Sequence, residues 1–351
     1  MNSASDTISG SDKSLGRDVI CPNCGQCCEL LLKARDLNQQ VSRKQFDYYS
    51  CPACRLVHIF PIPEDLGAYY TTGYSRDTLP NSLGELKEQA EAMRPRLSFI
   101  QRFVSAGKLL EVGGGYGAFG YLARQNGFEV EVIEMDEFPC RYMREQAEIK
   151  AICTSSIESV ESSLGAYDAI ALWHSIEHLG DFQGVLRVVA QHLSPSGVLV
   201  VCTPNPDSLQ FRMFRRFWVN LDAPRHLSLI PLPALVERLG QEGLELAFAS
   251  SSDPESLAFG KWSWEASLVN MLMSAGIMPG IVRRANKVES TKGAPKKTLD
   301  KVRVLAGKLL AVPLARALNF ALAPLERSAY RGSCYTAVFR RKSRPALAVA
   351  S

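Results

Sequence analysis

The chain has 351 residues, enough for one large domain or two smaller ones. Apolar residues make up 46% and charged residues 22%, a balance that excludes an intrinsically disordered chain. The net charge is +4, but residues 281–344 hold 16 Lys and Arg against 3 Asp and Glu, so the remainder is acidic. No apolar run reaches the ~20 residues of a membrane-spanning helix, and the N-terminus lacks the apolar stretch of a signal peptide. We therefore expect a cytoplasmic protein.

Residues 1–17 are rich in Ser, Asp and Gly and are predicted to be a disordered tail. Residues 18–62 form a cysteine-rich module with two C-x-x-C pairs, CPNC and CPAC, separated by 26 residues. Two such pairs offer the tetrahedral set of thiolates that zinc prefers, whereas clustered cysteines are not typical of a secreted disulfide framework. The expected ligands of a structural Zn2+ are Cys21, Cys24, Cys51 and Cys54. A redox dithiol is the alternative, and Cys27, Cys28 and His58 are further candidate ligands.

Residues 63–105 are predicted to be a helical lid or linker, because apolar residues recur at helical spacing from Leu83 to Val104. Strand-like and helix-like segments then alternate over residues 106–252. The predicted strands are KLLEV, EVEVIE, AIC, DAIALW, VLVVCTP and LELAFASS, and a seventh, CYTAVFRR, falls within residues 330–342. This alternation predicts an α/β fold with a doubly wound, mostly parallel seven-stranded sheet.

The glycine-rich stretch after the first of these strands satisfies two cofactor fingerprints. Gly115, Gly117 and Gly120 give G-x-G-x-x-G, whereas Glu111, Gly113, Gly115 and Gly117 give E-x-G-x-G-x-G. In both, glycines let the backbone approach an anion at a helix N-terminus. The carboxylate of Glu111 would repel the pyrophosphate of NAD and suits a cofactor with ammonium and sulfonium charges. The loop therefore favours S-adenosylmethionine over NAD.

Two further motifs follow, YDAIALWHSIEHLGD at residues 167–181 and PRHL at residues 224–227. With the glycine loop in this order, the chain resembles class I S-adenosylmethionine-dependent methyltransferases, especially those of ubiquinone biosynthesis and of sugar and polysaccharide gene clusters. The resemblance covers roughly residues 21–249 and implies a Rossmann-like fold. The cofactor-binding candidates are Glu111, Gly113, Gly115, Gly117, Glu134, Ser156, Ile157 and Trp173.

Specific roles can be assigned to two of these candidates, Glu134 from the fold and Ser156 from the resemblance. Glu134 ends the second strand, where an acid accepts hydrogen bonds from ribose hydroxyls. Ser156 stands close to where relatives usually carry an acid that holds the adenine amino group, with Glu158 slightly later in the chain.

Methyl transfer to a hydroxyl requires a base that removes the acceptor proton, and histidine suits this role near neutral pH. Three histidines follow strand ends, where ligands bind in open α/β sheets. The expected order is His178, then His174, then His226. Glu177 is adjacent to His178, and this pair could instead ligate a divalent cation, as in the ubiquinone-type relatives.

The resemblance also implies that the cysteine module covers the active site and shapes the acceptor pocket. Tyr69, Tyr70 and Tyr74, in the segment that follows, are candidate lid or acceptor contacts. The expected acceptor is a sugar or glycan, with another small hydroxylated compound next. The module has few aromatic residues and no basic stripe, so we expect no nucleic acid partner.

Residues 253–329 are predicted to form a basic helical insertion, and residues 343–351 a tail. Lys297, Lys301 and Lys308 share one helix face, which suggests peripheral contact with an anionic membrane at its inner face. The alternative is a helix pair packed on the sheet or on a second subunit of a homodimer. Two alternatives remain for the whole chain: a non-catalytic, zinc-stapled binding scaffold and an NAD-dependent oxidoreductase.

Overall fold

The structure is a computed structural model that describes residues 18–70, 79–275 and 296–342. Within the last range, the side chains of residues 296–310 are not described. Several predictions therefore lie outside the described residues: both tails, Tyr74, and the side chains of Lys297, Lys301 and Lys308.

The described residues contain eleven strands. In chain order they are β1 (Glu29–Arg35), β2 (Gln45–Ser50), β3 (Val57–Ile59), β4 (Gly107–Val112), β5 (Phe128–Glu134), β6 (Lys150–Cys153), β7 (Tyr167–Trp173), β8 (Leu193–Pro204), β9 (Ser228–Leu229), β10 (Leu244–Ser250) and β11 (Cys334–Arg341).

The helices of the described residues are α1 (Leu83–Ala92), α2 (Arg94–Gln101), α3 (Ala118–Gln125), α4 (Glu137–Glu145), α5 (Phe182–Gln191), α6 (Leu209–Phe214), α7 (Leu232–Gln241), α8 (Pro254–Ser274) and α9 (Lys296–Arg327). Acidic or hydroxyl side chains cap several of them. For example, Asp136 accepts a hydrogen bond from the N–H of Phe138 at the start of α4, and Asp253 accepts one from the N–H of Ser256 at the start of α8.

The central sheet has the strand order β10-β11-β8-β7-β4-β5-β6. Strands β4 to β8 pair in parallel, and β11 runs antiparallel to both of its neighbours, β8 and β10. The predicted doubly wound, mostly parallel seven-stranded sheet is confirmed.

Alternating side chains of the central strands supply two hydrophobic cores, one on each face of the sheet. In β7, Ile170 and Leu172 belong to the core that includes α5 and α7, whereas Ala169, Ala171 and Trp173 belong to the core that includes α1, α3 and α4. This alternation follows from the two-residue period of a strand. Both faces are buried, which explains why β7 reads as a continuous apolar run.

The cysteine module is completed by a strand from the other half of the chain. Its sheet has the order β1-β2-β3-β9, and β9 pairs with β3 through Val57 with Leu229 and His58 with Ser228. A third hydrophobic core joins Tyr48 of β2 to Trp218 and to Trp264 of α8. The module therefore shares its core with the segment around Trp218 and with helix α8 of the insertion.

The insertion forms a helix pair that packs on this third core. Trp264 of α8 donates its Nε1–H to the carboxylate of Glu326 on α9, at 3.2 Å, and Ala315 of α9 is fully buried. Within the described part of the chain, no helix combines the length and apolar character needed to cross a bilayer.

Candidate active site

The glycine loop joins β4 to α3 and contacts the segment that carries two of the predicted histidines. Gly113 has a φ of 81°, in the left-handed region that side chains rarely adopt. A Cβ atom on Gly113 would also lie 2.5 Å from the Cβ of Ser175, which follows His174. The loop and the histidine segment are thus in direct contact, so a ligand on the loop lies beside the histidines.

Glu111 places a carboxyl group directly beneath the loop. It is 3% exposed, and its Oε2 would be 3.0 Å from a Cβ on Gly114. This oxygen has no hydrogen-bond partner among the described residues. Burial raises the pKa of Glu111 to about 7. A cation bound nearby would stabilise the ionised carboxylate, which fits an ammonium group better than a phosphate.

Glu134 lies at the carboxyl end of β5 and is oriented by backbone donors. Its Oε2 accepts a hydrogen bond from the N–H of Gly115 at 2.9 Å, and its Oε1 accepts one from the N–H of Met135 at 2.8 Å. Burial raises the pKa of Glu134. Oε1 also accepts a hydrogen bond from the N–H of Asp136 at 3.3 Å, so Oε2 is the oxygen that can accept a second one, as from a ribose hydroxyl.

The predicted adenine contacts lie after β6 and at the end of β7. Ile157 is buried, and the hydroxyl of Ser156 donates to Glu158 Oε2 at 2.7 Å. Glu158 thus places a carboxylate beside Ser156, slightly later in the chain than the acid that the resemblance implies. Trp173 is buried against Phe119, with ring centroids 5.9 Å apart, and its Nε1 lacks a hydrogen-bond partner among the described residues.

His174 is held between two carboxylates. Its ring stacks on Phe259 with centroids 4.2 Å apart, Nδ1 lies 3.8 Å from Glu177 Oε1, and Nε2 lies 3.5 Å from Glu255 Oε1. Burial acts to lower the pKa of His174, but Cys202 and the two carboxylates outweigh it and raise that pKa well above its usual value. A raised pKa favours the imidazolium form of His174, which disfavours it as a base.

Glu177, His178 and His226 form a compact cluster. One ligand atom from each lies within 4.8 Å of the others, and the two imidazole centroids are 4.6 Å apart. Glu177 Oε2 accepts a hydrogen bond from Thr203 Oγ1 at 3.0 Å, whereas Oε1 has no hydrogen-bond partner among the described residues. Burial acts to raise the pKa of Glu177, but the neighbouring histidines outweigh it and lower that pKa to about 2. Glu177 is ionised.

The two imidazoles of this cluster are fixed through their Nδ1 atoms. His178 Nδ1 lies 3.0 Å from the hydroxyl of Tyr70 and 3.1 Å from the carbonyl oxygen of Arg225. Burial, together with the charge of His226, lowers the pKa of His178 to about 4, so it is neutral at pH 7. His226 Nδ1 lies 2.7 Å from the carbonyl oxygen of Asn220, a contact that assigns the proton to Nδ1 and the lone pair to Nε2.

A buried ion-pair network links this cluster to the cysteine module. The fully buried guanidinium of Arg225 donates to Asp222 at 2.6 Å and to Asp36, just after β1, at 2.7 Å. Burial acts to raise the pKa of Asp222, but Arg225 outweighs it and lowers that pKa to about 2. The N–H of Leu227 then donates to the carbonyl oxygen of Glu177 at 2.7 Å. Arg225 thus ties the PRHL segment to the cysteine module.

A cavity of about 710 Å³ opens beside the cluster. His174, Glu177, His178 and His226 all line it. The facing wall comes from the loop after β1 and from α8 and α9, with Asn38, Trp262, Val269, Asn270 and Val312. A cleft of about 870 Å³ elsewhere, near Gly243 and Arg341, is lined by none of the predicted site residues.

The four predicted zinc ligands come together in the module. Their sulfur atoms all lie within 4.8 Å of one another, with Cys21 Sγ 3.6 Å from Cys54 Sγ and Cys24 Sγ 3.3 Å from Cys51 Sγ. A tetrahedral zinc site with Zn–S bonds of about 2.3 Å has S–S edges of about 3.8 Å. The four sulfurs therefore have nearly the separation that zinc requires, and Cys27, Cys28 and His58 are not in this group.

The two cysteine pairs sit on turns with the same hydrogen bonds. The N–H of Gly25 donates to Cys21 O at 3.0 Å, and the N–H of Arg55 donates to Cys51 O at 2.9 Å. Gly25 and Arg55 both have positive φ, 74° and 62°. Arg55 thus adopts the left-handed conformation that glycine takes in the first turn. This backbone similarity is typical of paired zinc knuckles rather than of an accidental cluster.

Residues 85–247 match a family model described as a methyltransferase domain. This segment contains the glycine loop, the EHL motif and the PRHL motif in the predicted order. Residues 85–247 thus carry a methyltransferase domain. The alternative of an NAD-dependent oxidoreductase is thereby rejected.

Solved methyltransferase structures are similar to this chain at low identity. An S-adenosylmethionine-dependent methyltransferase from Archaeoglobus fulgidus is 16% identical, covers 72% of this chain and 94% of its own, and gives a TM-score of 0.44. The cyclopropane synthase MmaA2 from Mycobacterium tuberculosis is 14% identical; the match covers 77% of this chain and 87% of that one, with a TM-score of 0.44. We draw no conclusion about the substrate from likenesses at this level. No curated protein matches the chain.

The residues of the methyltransferase domain fit S-adenosylmethionine. Glu111 has an unpartnered, buried carboxylate oxygen that an ammonium group would satisfy, and Gly115 leaves open space above the loop. Glu134 is oriented to accept from ribose hydroxyls. These residues would hold the cofactor, which would supply a methyl group on its sulfonium.

Sequence reasoning missed several residues of the methyltransferase site. Arg225 lies inside the PRHL motif and could have been noted as a charge within an otherwise apolar run. Asp36 and Glu255 carry no local signal, because each acts through a residue far away in the chain, whereas Asp222 pairs with Arg225 three residues later. Tyr70, one of the three predicted lid tyrosines, does contact His178.

Proposed function

We propose that this methyltransferase methylates a sugar, a glycan or another small hydroxylated acceptor held in the cavity beside Glu177. The observation that carries the proposal is the clustering of Glu177, His178 and His226 on one wall of a cavity next to the glycine loop. The opposite wall offers both amide groups, from Asn38 and Asn270, and apolar surface, as a hydroxylated ring requires.

The reaction is an in-line displacement. The cofactor, when bound, supplies an electrophilic methyl group on its sulfonium. The acceptor oxygen forms the new bond to that methyl carbon, and the electron pair of the broken C–S bond stays on sulfur. The acceptor proton passes to a ring nitrogen of His178 or His226, and the ionised Glu177 stabilises the imidazolium that results.

We assign His174 a different role from the other two histidines. Its raised pKa keeps it protonated, so it would hold Glu177 and Glu255 in place rather than accept a proton. His178 is neutral, and His226 has its lone pair on Nε2 in the cavity wall. The order of candidate bases is therefore His178 and His226 ahead of His174.

A cation-assisted variant of the same function has one observation in its favour. Glu177, His178 and His226 supply three ligand atoms within 4.8 Å, and Glu177 Oε1 lacks a partner among the described residues. A divalent cation there would polarise the acceptor hydroxyl in place of a histidine base. This would explain why three such groups meet at one point.

We further propose that Cys21, Cys24, Cys51 and Cys54 hold a structural zinc ion. The separations of their sulfurs and the matching turns support this ligand set. The role of the ion would be to staple a module with little core of its own. Its loop could then present Asp36 and Asn38 to the acceptor side.

The decisive experiment is a screen of hydroxylated acceptors with methyl-labelled S-adenosylmethionine, followed by histidine variants on the best acceptor. We expect His178→Ala or His226→Ala to lower kcat by roughly 100-fold or more without changing the Kd of S-adenosylhomocysteine. His192→Ala is the control, because His192 only contacts the carbonyl of Gly165 away from the cavity.

Two outcomes separate the alternatives. Activity that is lost with a chelator and restored by a divalent cation, while the cysteine-bound zinc stays in place, would favour the cation-assisted variant. Absence of S-adenosylmethionine and S-adenosylhomocysteine binding in the zinc-loaded protein would instead favour the non-catalytic scaffold.

A further inference from the structure

The outer face of α9 is apolar and exposed. Leu314 is 51% exposed, Phe320 85% and Leu325 49%. At about 100° per residue, these side chains lie in one stripe about 140° wide on the helix. The other members of the stripe, all exposed, are Pro313, Ala317, Ala321 and Pro324. The opposite side, with Ala311 and Ala315, is buried against the rest of the protein.

Basic side chains border this apolar stripe. Arg316 and Arg327 project at one edge, next to Phe320 in the helical order, and both are exposed. Glu265 pairs with Arg316 at 3.1 Å and offsets its charge, whereas Glu326 is buried, so Arg327 is the uncompensated cation of this edge among the described residues. An apolar stripe with a cationic border is typical of a helix that lies in a membrane interface.

Helix α6 extends the same kind of surface. It lies against the end of α9, because the N–H of Leu209 donates to Arg331 O at 3.0 Å and Gln210 Nε2 donates to Glu326 Oε1 at 2.9 Å. On its outer side Met213 is 48% exposed, beside the exposed Arg212. Two separate segments of the chain thus present an apolar side chain flanked by arginine at neighbouring positions.

We propose that the α9 face, defined as Leu314, Phe320, Leu325 and their basic border, docks the protein on an anionic lipid surface. Residues 281–344 carry 16 Lys and Arg against 3 Asp and Glu, which complements a negatively charged surface. A second copy of the chain fits less well, because a twofold contact on this face would bring two basic segments together. An anionic lipid surface would bury the apolar stripe and attract the basic side chains.

This docking would place the acceptor cavity next to the lipid surface. Val312, two residues before Leu314 on α9, lines the cavity, as does Trp262 of α8, which is 50% exposed. An acceptor carried on a lipid could then enter between α8, α9 and the cysteine module. This consequence rests on the proposed function, whereas docking itself does not.

The test is flotation of the full-length protein with vesicles of phosphatidylcholine alone or with about 30% phosphatidylglycerol. We expect binding to the anionic vesicles only, weakened by 0.5 M salt. Phe320→Glu should reduce the bound fraction roughly tenfold, because it removes the most exposed apolar side chain and adds a negative charge. Leu83→Glu, at an exposed position of 48% on α1, is the matched control and should float like the unchanged protein.

Three results would overturn the proposal: no flotation with either vesicle, equal flotation with both, or equal flotation of the Phe320 and Leu83 variants. A dimer that Phe320→Glu dissociates, without vesicle binding, would assign the face to a second copy. Circular dichroism checks that each variant is folded. Binding of S-adenosylhomocysteine, measured in parallel, reports separately on the methyltransferase function.

Discussion

The cofactor half and the acceptor half of the site are built in different ways. In the cofactor half, the contact between Gly115 and Glu134 joins residues 19 apart within one strand–helix–strand unit. In the acceptor half, the ion pair between Arg225 and Asp36 joins residues 189 apart. The first half depends on local chain geometry, and the second depends on the cysteine module staying docked. Cofactor binding should therefore survive damage that disables the acceptor side.

Loss of the cysteine-bound zinc should have the largest effect on the acceptor half. Cys51→Ser removes one of four ligands, and the module that carries Asp36 loses its staple. We expect loss of bound zinc and a fall of roughly 10 °C in the thermal midpoint. The Kd of S-adenosylhomocysteine, measured by calorimetry, should change less than about threefold.

Cys27→Ser provides the control for that experiment, because Cys27 is exposed and outside the four-sulfur group. It should keep both the zinc and the thermal midpoint. If Cys51→Ser weakened cofactor binding as much as it weakened acceptor methylation, the two halves would not be independent.

Breaking the ion-pair network of Arg225 should have the second-largest effect. Arg225→Met leaves Asp36 and Asp222 as buried charges without their cation. We expect a loss of about 4 kcal/mol in the free energy of unfolding, measured by urea titration. Lys33→Met removes an exposed ion pair with Asp47 and should cost less than about 0.5 kcal/mol. Similar losses in the two variants would contradict the structural role of the buried network.

The pH dependence of stability should reveal the raised pKa of Glu111 in the cofactor half. Burial raises the pKa of its carboxyl from 4.5 to about 7, so the folded protein keeps a proton that the unfolded chain has lost. The protein without cofactor should therefore lose stability as the pH rises from about 4.5 to about 7, by at most about 3 kcal/mol. In Glu111→Gln this loss should be absent from urea titrations across the same range. A decline of the same size in both proteins would assign it to other groups.

Gly113→Ala should affect the cofactor half alone. The added Cβ would lie 2.5 Å from Ser175, at a φ that alanine rarely adopts. We expect the Kd of S-adenosylhomocysteine to rise about 100-fold, with zinc content unchanged. Gly165→Ala is the control, because that glycine has open space around it and no positive φ. Normal binding by Gly113→Ala would place the cofactor away from this loop.

Most of the cofactor half could be predicted from the sequence. The segment AFGYLARQ directly follows the glycine loop and forms α3, Ala118–Gln125. The strands on either side alternate or run apolar, so their period and length identify them. The segment after β6 was less predictable, because Ile157 and Glu158 lie in a 3-10 helix, Ile157–Ser163, rather than at a strand end.

The acceptor half could be predicted only as a set of isolated candidates. The histidines were found from their places after strand ends, but their order as bases depended on neighbours. Cys202, Glu177 and Glu255 raise the pKa of His174, and Glu255 of α8, 3.5 Å from its Nε2, has no motif around it. The pairing of β9 with β3 could not be foreseen either, since β9 is only two residues long.

By itself, the sequence determined the doubly wound sheet, the glycine loop and the two cysteine pairs, because each is encoded by spacing within a short stretch of chain. The tertiary structure alone decided that the cysteine module, the PRHL segment and α8 enclose one cavity, and which of its histidines is neutral. Burial and charge at those positions come from residues distant in the sequence, such as Asp36 with Arg225 and Glu255 with His174. Such contacts leave no local pattern, and only the folded chain brings them together.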